Sequence, residues 1–173
     1  MTTPVRAEFS APWSRSLRTA TAVCVAGLLL LVVAGLFTGP RQLPVWRVFM
    51  IGVPLLLLLG APPFMVRGYQ LTDTDIRVRR LGWSTVLPLA GITSITGEPD
   101  GLRGSLRLFG NGGLFAICGW FWNRRFGRYR AYATDPDRAV LLRYRDGRNI
   151  VLTPGDVQHF IVRARTLARL APT

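Results

Sequence analysis

Residues 110–122 read GNGGLFAICGWFW, thirteen positions without a charge. Arg107 precedes them, and Arg124, Arg125, Arg128 and Arg130 follow. Aromatic rings bordered by guanidinium groups suit a membrane interface. Phe115, Trp120, Phe121 and Trp122 could enter the apolar edge of a bilayer while Arg107, Arg124 and Arg125 meet anionic headgroups. A surface-bound Arg adds about 1 kcal/mol near an anionic leaflet. The bland alternative is a hydrophobic strand or loop folded into the core, with Gly where the backbone turns. The run is too short to span a bilayer as a helix.

A second grouping is Arg77-Val78-Arg79, which sets two guanidinium groups on one face of a strand, an arrangement that can hold an anion. The loop before it, Thr72-Asp73-Thr74-Asp75, is acidic and opposes that use; a solvated strand face accounts for the same pattern. Gly110-Asn111-Gly112-Gly113 is not a phosphate loop, because no Gly-Lys-Ser/Thr follows.

Catalytic chemistry finds little to work with. His159 is the single His and lies on a C-terminal amphipathic segment. Asp73, Asp75, Asp100, Asp135, Asp137 and Asp146 fall in turns, and Asp135 and Asp137 bracket Pro136 as a turn rather than an acid–base pair. Ser105 has no visible base. Cys24 and Cys118 form no CxxC or Cys/His cluster, so zinc and redox sites are not expected, nor is a disulfide framework. The reading is of a chain that is not an enzyme and carries no metal or cofactor.

These residues are set in a chain of 173 residues with net charge +13, whose 22 basic residues are all Arg. Every cationic contact is therefore made by a planar guanidinium, suited to bidentate pairing. Charged residues are only 18% of the chain, and the deficit is concentrated between Thr19 and Val66. Thr19–Phe37 and Val48–Val66 are each 19 residues without a charge. At about 1.5 Å per residue, each approaches the hydrocarbon thickness of a bilayer. Pro54 should kink the second run, and Pro62-Pro63 should mark its end. The short connector Thr38–Arg47 makes the two spans an antiparallel hairpin. Arg6, Arg15 and Arg18 flank one side together with Arg67, Arg77, Arg79 and Arg80, whereas the connector carries Arg41 and Arg47. That bias places both termini in the cytoplasm. Trp13 and Trp46 fall near the span ends, where aromatic residues favour the interface.

Beyond Arg67 the pattern becomes one of short strands: Tyr69–Thr72, Asp75–Leu81, Trp83–Leu89, Ile92–Thr96, Leu102–Phe109, Arg138–Tyr144 and Asn149–Leu152. Apolar and charged residues alternate in Ile76-Arg77-Val78-Arg79. Asp146-Gly147 reads as a hairpin turn with both residues at positive φ. A helix follows, with Thr153 as its cap, Pro154 at its first position and Asp156 at the capping-box position. Val157, Phe160, Ile161, Ala164, Leu167 and Ala168 line one stripe of it.

Strands closed by a C-terminal helix resemble the pleckstrin-homology (PH) fold. Leu102–Phe115, Gly119-Trp120-Phe121, Gly127–Asp135 and Ile150–Pro154 together resemble the membrane-attached bacterial PH-like domain proteins, over roughly Arg67 to Leu170. The resemblance implies a fold and a membrane address more than an activity. In lipid-binding eukaryotic PH domains, basic residues on the first strands hold inositol phosphates, which is what Arg77 and Arg79 would have to do here.

The expected fold is an α+β membrane protein: a two-helix transmembrane hairpin, then a PH-like small β-barrel or sandwich closed by the C-terminal amphipathic helix. Residues 1–18 are expected as a cytoplasmic tail, 19–66 as the hairpin and 67–173 as the cytoplasmic domain. The expected function is a non-enzymatic inner-membrane module presenting Arg and aromatic surface to anionic lipid, to a membrane protein partner or to a second copy. The alternative is a scaffold or assembly subunit, with Gly52 and Pro54 marking a helix contact. Nucleic acid ranks last, because the Arg are scattered rather than gathered in a stripe.

Overall fold

The computed structural model describes residues 4–39 and 44–170. Arg41, counted in the connector, lies outside the described residues.

Two sheets, two apolar helical runs and a C-terminal helix make up the chain. β1 (Val5–Ser10) precedes α1 (Arg15–Phe37). Ser14 caps α1, its Oγ accepting from Leu17 N at 3.1 Å. The second run comprises α2 (Pro44–Arg47), a π turn (Val48–Gly52), α3 (Val53–Gly60) and a 3-10 turn (Pro62–Phe64). The π turn has a direct cause. Pro54 has no N–H for the preceding turn, and Val53 N–H bonds back to Val48 O instead. Arg15–Phe37 and Val45–Phe64 are each long and apolar enough to cross a membrane. The two runs meet at Gly35, where an added Cβ would lie 2.6 Å from Met50 Cβ.

The remaining strands are β2 (Gly68–Thr72), β3 (Asp75–Arg79), β4 (Ser84–Pro88), β5 (Ile92–Gly97), β6 (Leu106–Gly112), β7 (Ile117–Asn123), β8 (Gly127–Ala133), β9 (Val140–Tyr144) and β10 (Asn149–Leu152), followed by α4 (Val157–Leu167). They form a four-stranded sheet, β1-β2-β3-β4, and a six-stranded sheet, β5-β9-β10-β8-β7-β6. Neither sheet is closed, which corrects the expected barrel. The reason lies in β1. It pairs antiparallel with β2 and occupies the edge a closing strand would need. At the other end, the turn at Leu89–Ile92 passes the chain into the second sheet, and β4 and β5 do not pair.

The facing surfaces of the two sheets share one core. Tyr69, Leu71, Ile76 and Val78 from the first meet Ile95, Tyr132, Leu142 and Leu152 from the second, and Phe160, Ile161 and Ala164 of α4 complete it. A second cluster lies on the other face of the large sheet, where Leu102 and Phe126 cover Phe121, Tyr129, Leu141 and Val151. β9 and β10 are thus buried on both faces, which explains why they read as continuous apolar runs rather than alternating ones.

Two local expectations are revised. The β9–β10 connection bends as a three-residue loop: Gly147 N bonds Tyr144 O at 3.1 Å, Tyr144 N bonds Arg148 O at 2.9 Å, and Gly147 alone has positive φ. The cap of α4 is Asp156, whose side chain accepts from His159 N at 3.0 Å. Thr153 lies fully buried instead, its Oγ1 accepting from Thr134 N at 2.9 Å.

Candidate functional site

The ends of both apolar runs are fastened to the sheets. Near the base of α1, the Thr21 hydroxyl donates to Gly113 O at 3.0 Å and accepts from Phe115 N at 3.1 Å. Gly113 and Phe115 belong to the turn of the β6–β7 hairpin, so this turn sits beside the apolar part of α1. Asn111 closes the turn, its Oδ1 accepting from Gly113 N at 3.2 Å and Leu114 N at 3.0 Å. The glycine-rich stretch is therefore a side-chain-bonded turn. The hairpin strands also approach closely at Gly110 and Gly119, where a Cβ on Gly119 would lie 2.1 Å from Phe109 O. Only glycine fits there.

At the end of the second run, Pro62-Pro63-Phe64 leaves carbonyls that no helix turn satisfies. Arg80 Nη1 donates to Phe64 O at 2.8 Å, and Trp83 Nε1 donates to Pro63 O at 3.1 Å. The Phe64 and Trp83 rings meet edge-on with centroids 6.0 Å apart. Gly82, at φ 86°, lets the chain turn tightly between β3 and β4 so that both side chains reach.

Between this corner and β6–β7–β8 lies a cavity of about 370 Å³. Phe64, Trp83, Phe109 and Trp120 supply aromatic wall, and Arg80, Arg130 and Tyr132 are among its polar groups, with Asn111 and Cys118. Arg80 is 8% exposed, and its guanidinium lies 4.6 Å from the Trp83 ring and 5.2 Å from the Tyr132 ring. Arg130 lies 5.2 Å from the other neighbouring ring contact at Tyr132 and 5.9 Å from Trp120, while Arg128 stacks over Trp120 at 4.4 Å. Neither Arg80 nor Arg130 has a carboxylate within ion-pair distance among the described residues. Burial raises the Tyr132 phenol above its usual range.

The expected contact residues fall in different places. Trp120 lines the cavity, and Phe115 packs against Trp13 with centroids 6.3 Å apart. Phe121 is a correction: it is 6% exposed and stacks on Tyr129 in the outer cluster, so it presents no surface. Trp122 is exposed, but it lies near the opposite end of β7 from the hairpin turn. Arg124 and Arg125 sit at that same far end, and Arg125 is bound to Glu98 at 2.7 Å. Arg107 is exposed and runs along Gly112. Strand alternation, set by the register with β6 and β8, separates Trp120 and Trp122 from Phe121.

Arg79 forms an ion pair with Glu8, and Arg6 binds Asp73 through two bonds of 2.7 and 3.0 Å. Both the basic strand and the acidic loop beside it are thus engaged by β1. Arg77 keeps a buried Nε without a hydrogen-bond partner. Ser105 accepts from Tyr129 Oη at 2.7 Å and from Asn123 Nδ2 at 3.0 Å. His159 is exposed, edge-on to Phe9. Arg80 was countable in the sequence as a third Arg beside Arg77 and Arg79; the signal that separates it is Leu81-Gly82-Trp83, a turn that brings an aromatic ring back over it.

Residues 67–168 match the family described as Bacterial PH domain. The match covers more than half of the chain, and the chain belongs to this family. No curated protein and no solved structure matches it. Among the described residues no group of three or more His, Cys, Asp or Glu could hold a metal ion. A PH-like domain of this kind is a surface for lipid or protein contacts, and the two apolar runs point to membrane association.

Proposed function

We propose that this chain is a membrane-anchored, non-enzymatic PH-like module of the cell (inner) membrane, with both termini cytoplasmic and an Arg and aromatic surface held at the bilayer face for lipid or protein interaction. The observation that carries this reading is the bond between Thr21 and Gly113. It sets the β6–β7 turn level with the apolar face of α1, where leaflet headgroups would lie. Phe64 and Trp83 reach the same corner from the second run. The apolar runs support anchoring by their outer faces, with Leu30, Leu56 and Leu59 at 69%, 70% and 76% exposure. The β1–β2 pairing supports a common side for the two ends, since a strand before α1 and a strand after α3 share one sheet.

Reporter fusions test the topology. Green fluorescent protein at the C-terminus should fluoresce and alkaline phosphatase at the same place should be inactive; the reverse pattern would overturn the cytoplasmic assignment.

One observation favours a second reading as an assembly subunit. β6 is an edge strand, and its Leu106, Leu108 and Phe109 are 62%, 56% and 78% exposed. An exposed apolar edge of this kind is a ready template for another strand. Crosslinking from Leu108→Cys in native membranes would separate the readings: a single protein adduct favours the subunit, and lipid-only surroundings favour the module.

A further inference from the structure

The cavity between Phe64, Trp83 and the β6–β7–β8 strands has features that a general membrane-facing surface does not require. Tyr132 is 1% exposed, and its hydroxyl is buried without a hydrogen-bond partner. Leaving such a group unmet costs about 1–3 kcal/mol. Two guanidinium groups flank the Tyr132 ring, each with its Cζ 5.2 Å from the ring centroid. Arg80 uses Nε on Thr85 Oγ1 and Nη1 on Phe64 O, and its guanidinium also meets the Cys118 thiol in the cavity wall, with no carboxylate beside it among the described residues. Arg130 lies over the Trp120 and Tyr132 rings and has no ion-pair partner among the described residues. A smaller cavity of about 170 Å³ shares Trp120, Arg130 and Tyr132 with the first.

We infer that this cavity binds one anionic amphiphile, a phosphate-class headgroup on an apolar body drawn from the adjoining leaflet, with Arg80, Arg130 and the Tyr132 hydroxyl as its donors. An acceptor-rich oxyanion meets all three donors and balances two cations that have no carboxylate partner among the described residues. A phosphate offers more acceptor oxygens than a carboxylate does, and guanidinium groups match its geometry. The walls select the rest of the ligand. Phe64, Trp83, Phe109 and Trp120 are apolar surface that a free inorganic anion would leave uncovered, and Phe64, which ends the second apolar run, is part of that wall, so the cavity adjoins the run. This inference rests on the membrane-anchored reading for the source of its ligand, but the binding chemistry is a property of the cavity.

The test uses the full chain, purified in detergent and titrated with phosphatidylglycerol or phosphatidylcholine, with bound lipid counted by native mass spectrometry. One phosphatidylglycerol should be retained saturably and phosphatidylcholine should not. Arg130→Gln, at an exposed position, and Tyr132→Phe, which removes one oxygen, should each weaken retention about tenfold, as expected for a lost hydrogen bond to a charged group. Lipid counts that track the amount added, are equal for both headgroups and are unmoved by both variants would overturn the inference. Displacement by inorganic phosphate at concentrations matching the lipid would also overturn it, by assigning the cavity to a soluble anion. Carbonate extraction of native membranes reads the anchoring separately. A retained chain without saturable lipid sinks this inference alone, and an extracted chain that still binds one lipid sinks the anchoring alone.

Discussion

Thr21 and Gly113 lie 92 positions apart in the chain and share one hydrogen bond of 3.0 Å. That contact couples the first apolar helix to the β6–β7 hairpin, and Phe115 N–H strengthens it by donating to the same hydroxyl. The backbone at Phe115 is at φ 66°, a region unfavourable for a side-chain-bearing residue, and the hydroxyl holds it there.

Replacing Thr21 by Val keeps the shape and removes the hydroxyl. Gly113 O and Phe115 N then lose their partner, a loss of about 1–2 kcal/mol confined to the turn. Hydrogen exchange at Leu114 and Phe115 should quicken while the β8–β10 core stays protected. Thr21→Ser should restore slow exchange; unchanged exchange in Thr21→Val would show that the turn stands without the helix.

Phe121 and Phe109 make a second comparison, because the two rings sit on opposite faces of the same hairpin. Phe109→Ser removes a ring that is 78% exposed and should leave thermal stability within about 0.5 kcal/mol while lowering the depth of a spin label on the hairpin in bilayers. Phe121→Ser removes a ring that is 6% exposed and should cost about 3–5 kcal/mol, the range for emptying an aromatic core site. Equal stability of the two variants would mean that the strand register is different.

Much of this arrangement could be read from residues alone. Short β-forming runs locate β2 to β6, β9 and β10, whereas β7 is left open between strand and loop and β8, GRYRAYA, is not read as a strand; the stripe from Val157 to Ala168 locates α4 and its buried side. Residues Val5–Ser10 do not read as a strand, because six residues, VRAEFS, carry too little alternation to stand out and their partner β2 lies beyond two apolar runs. Without β1 the ion pairs of Arg6 and Glu8 are invisible, Asp73 and Arg79 look unengaged, and a closed barrel looks possible. The faces of β7 were illegible for a different reason: uninterrupted apolar residues on both sides of a strand carry no period, so only pairing with β8 shows which ring is inside.

Tyr69 anchors the inner core through its hydroxyl, which donates to Tyr132 O at 2.6 Å and accepts from Thr153 N at 3.1 Å. Tyr69→Phe should destabilise the chain by about 1–3 kcal/mol, since both partners are buried and neither can turn to water. Chemical denaturation reads this as a lower midpoint with an unchanged slope. A midpoint equal to that of the parent chain would show that the partners find other bonds.

All four tyrosines, Tyr69, Tyr129, Tyr132 and Tyr144, resist ionisation, chiefly because burial disfavours the phenolate. Burial pushes Tyr144 up to about 12. Their folded pKa values lie above the unfolded value of about 10, so their contribution to stability is complete below that pH. It declines as pH rises from there toward about 12, where folded Tyr144 begins to lose its own proton. Tyrosinate absorbance should therefore stay low until the chain unfolds and then rise in one step. A gradual rise around pH 10 in the folded chain would refute the burial.

Because β1 and β2 flank the two apolar runs in sequence yet lie side by side in one sheet, the chain cannot finish folding in the order in which it is synthesised. The first strand emerges early and has no partner until both runs have been made and residues 68–72 follow them. Should only one run be threaded through a bilayer, the two strands would be stranded in separate compartments, and the four-stranded sheet would lack its edge. A chain threaded in that way would leave Phe9 and Ala11 outside the core and the edge of β2 unpaired, so completion of this sheet depends on both runs being placed together.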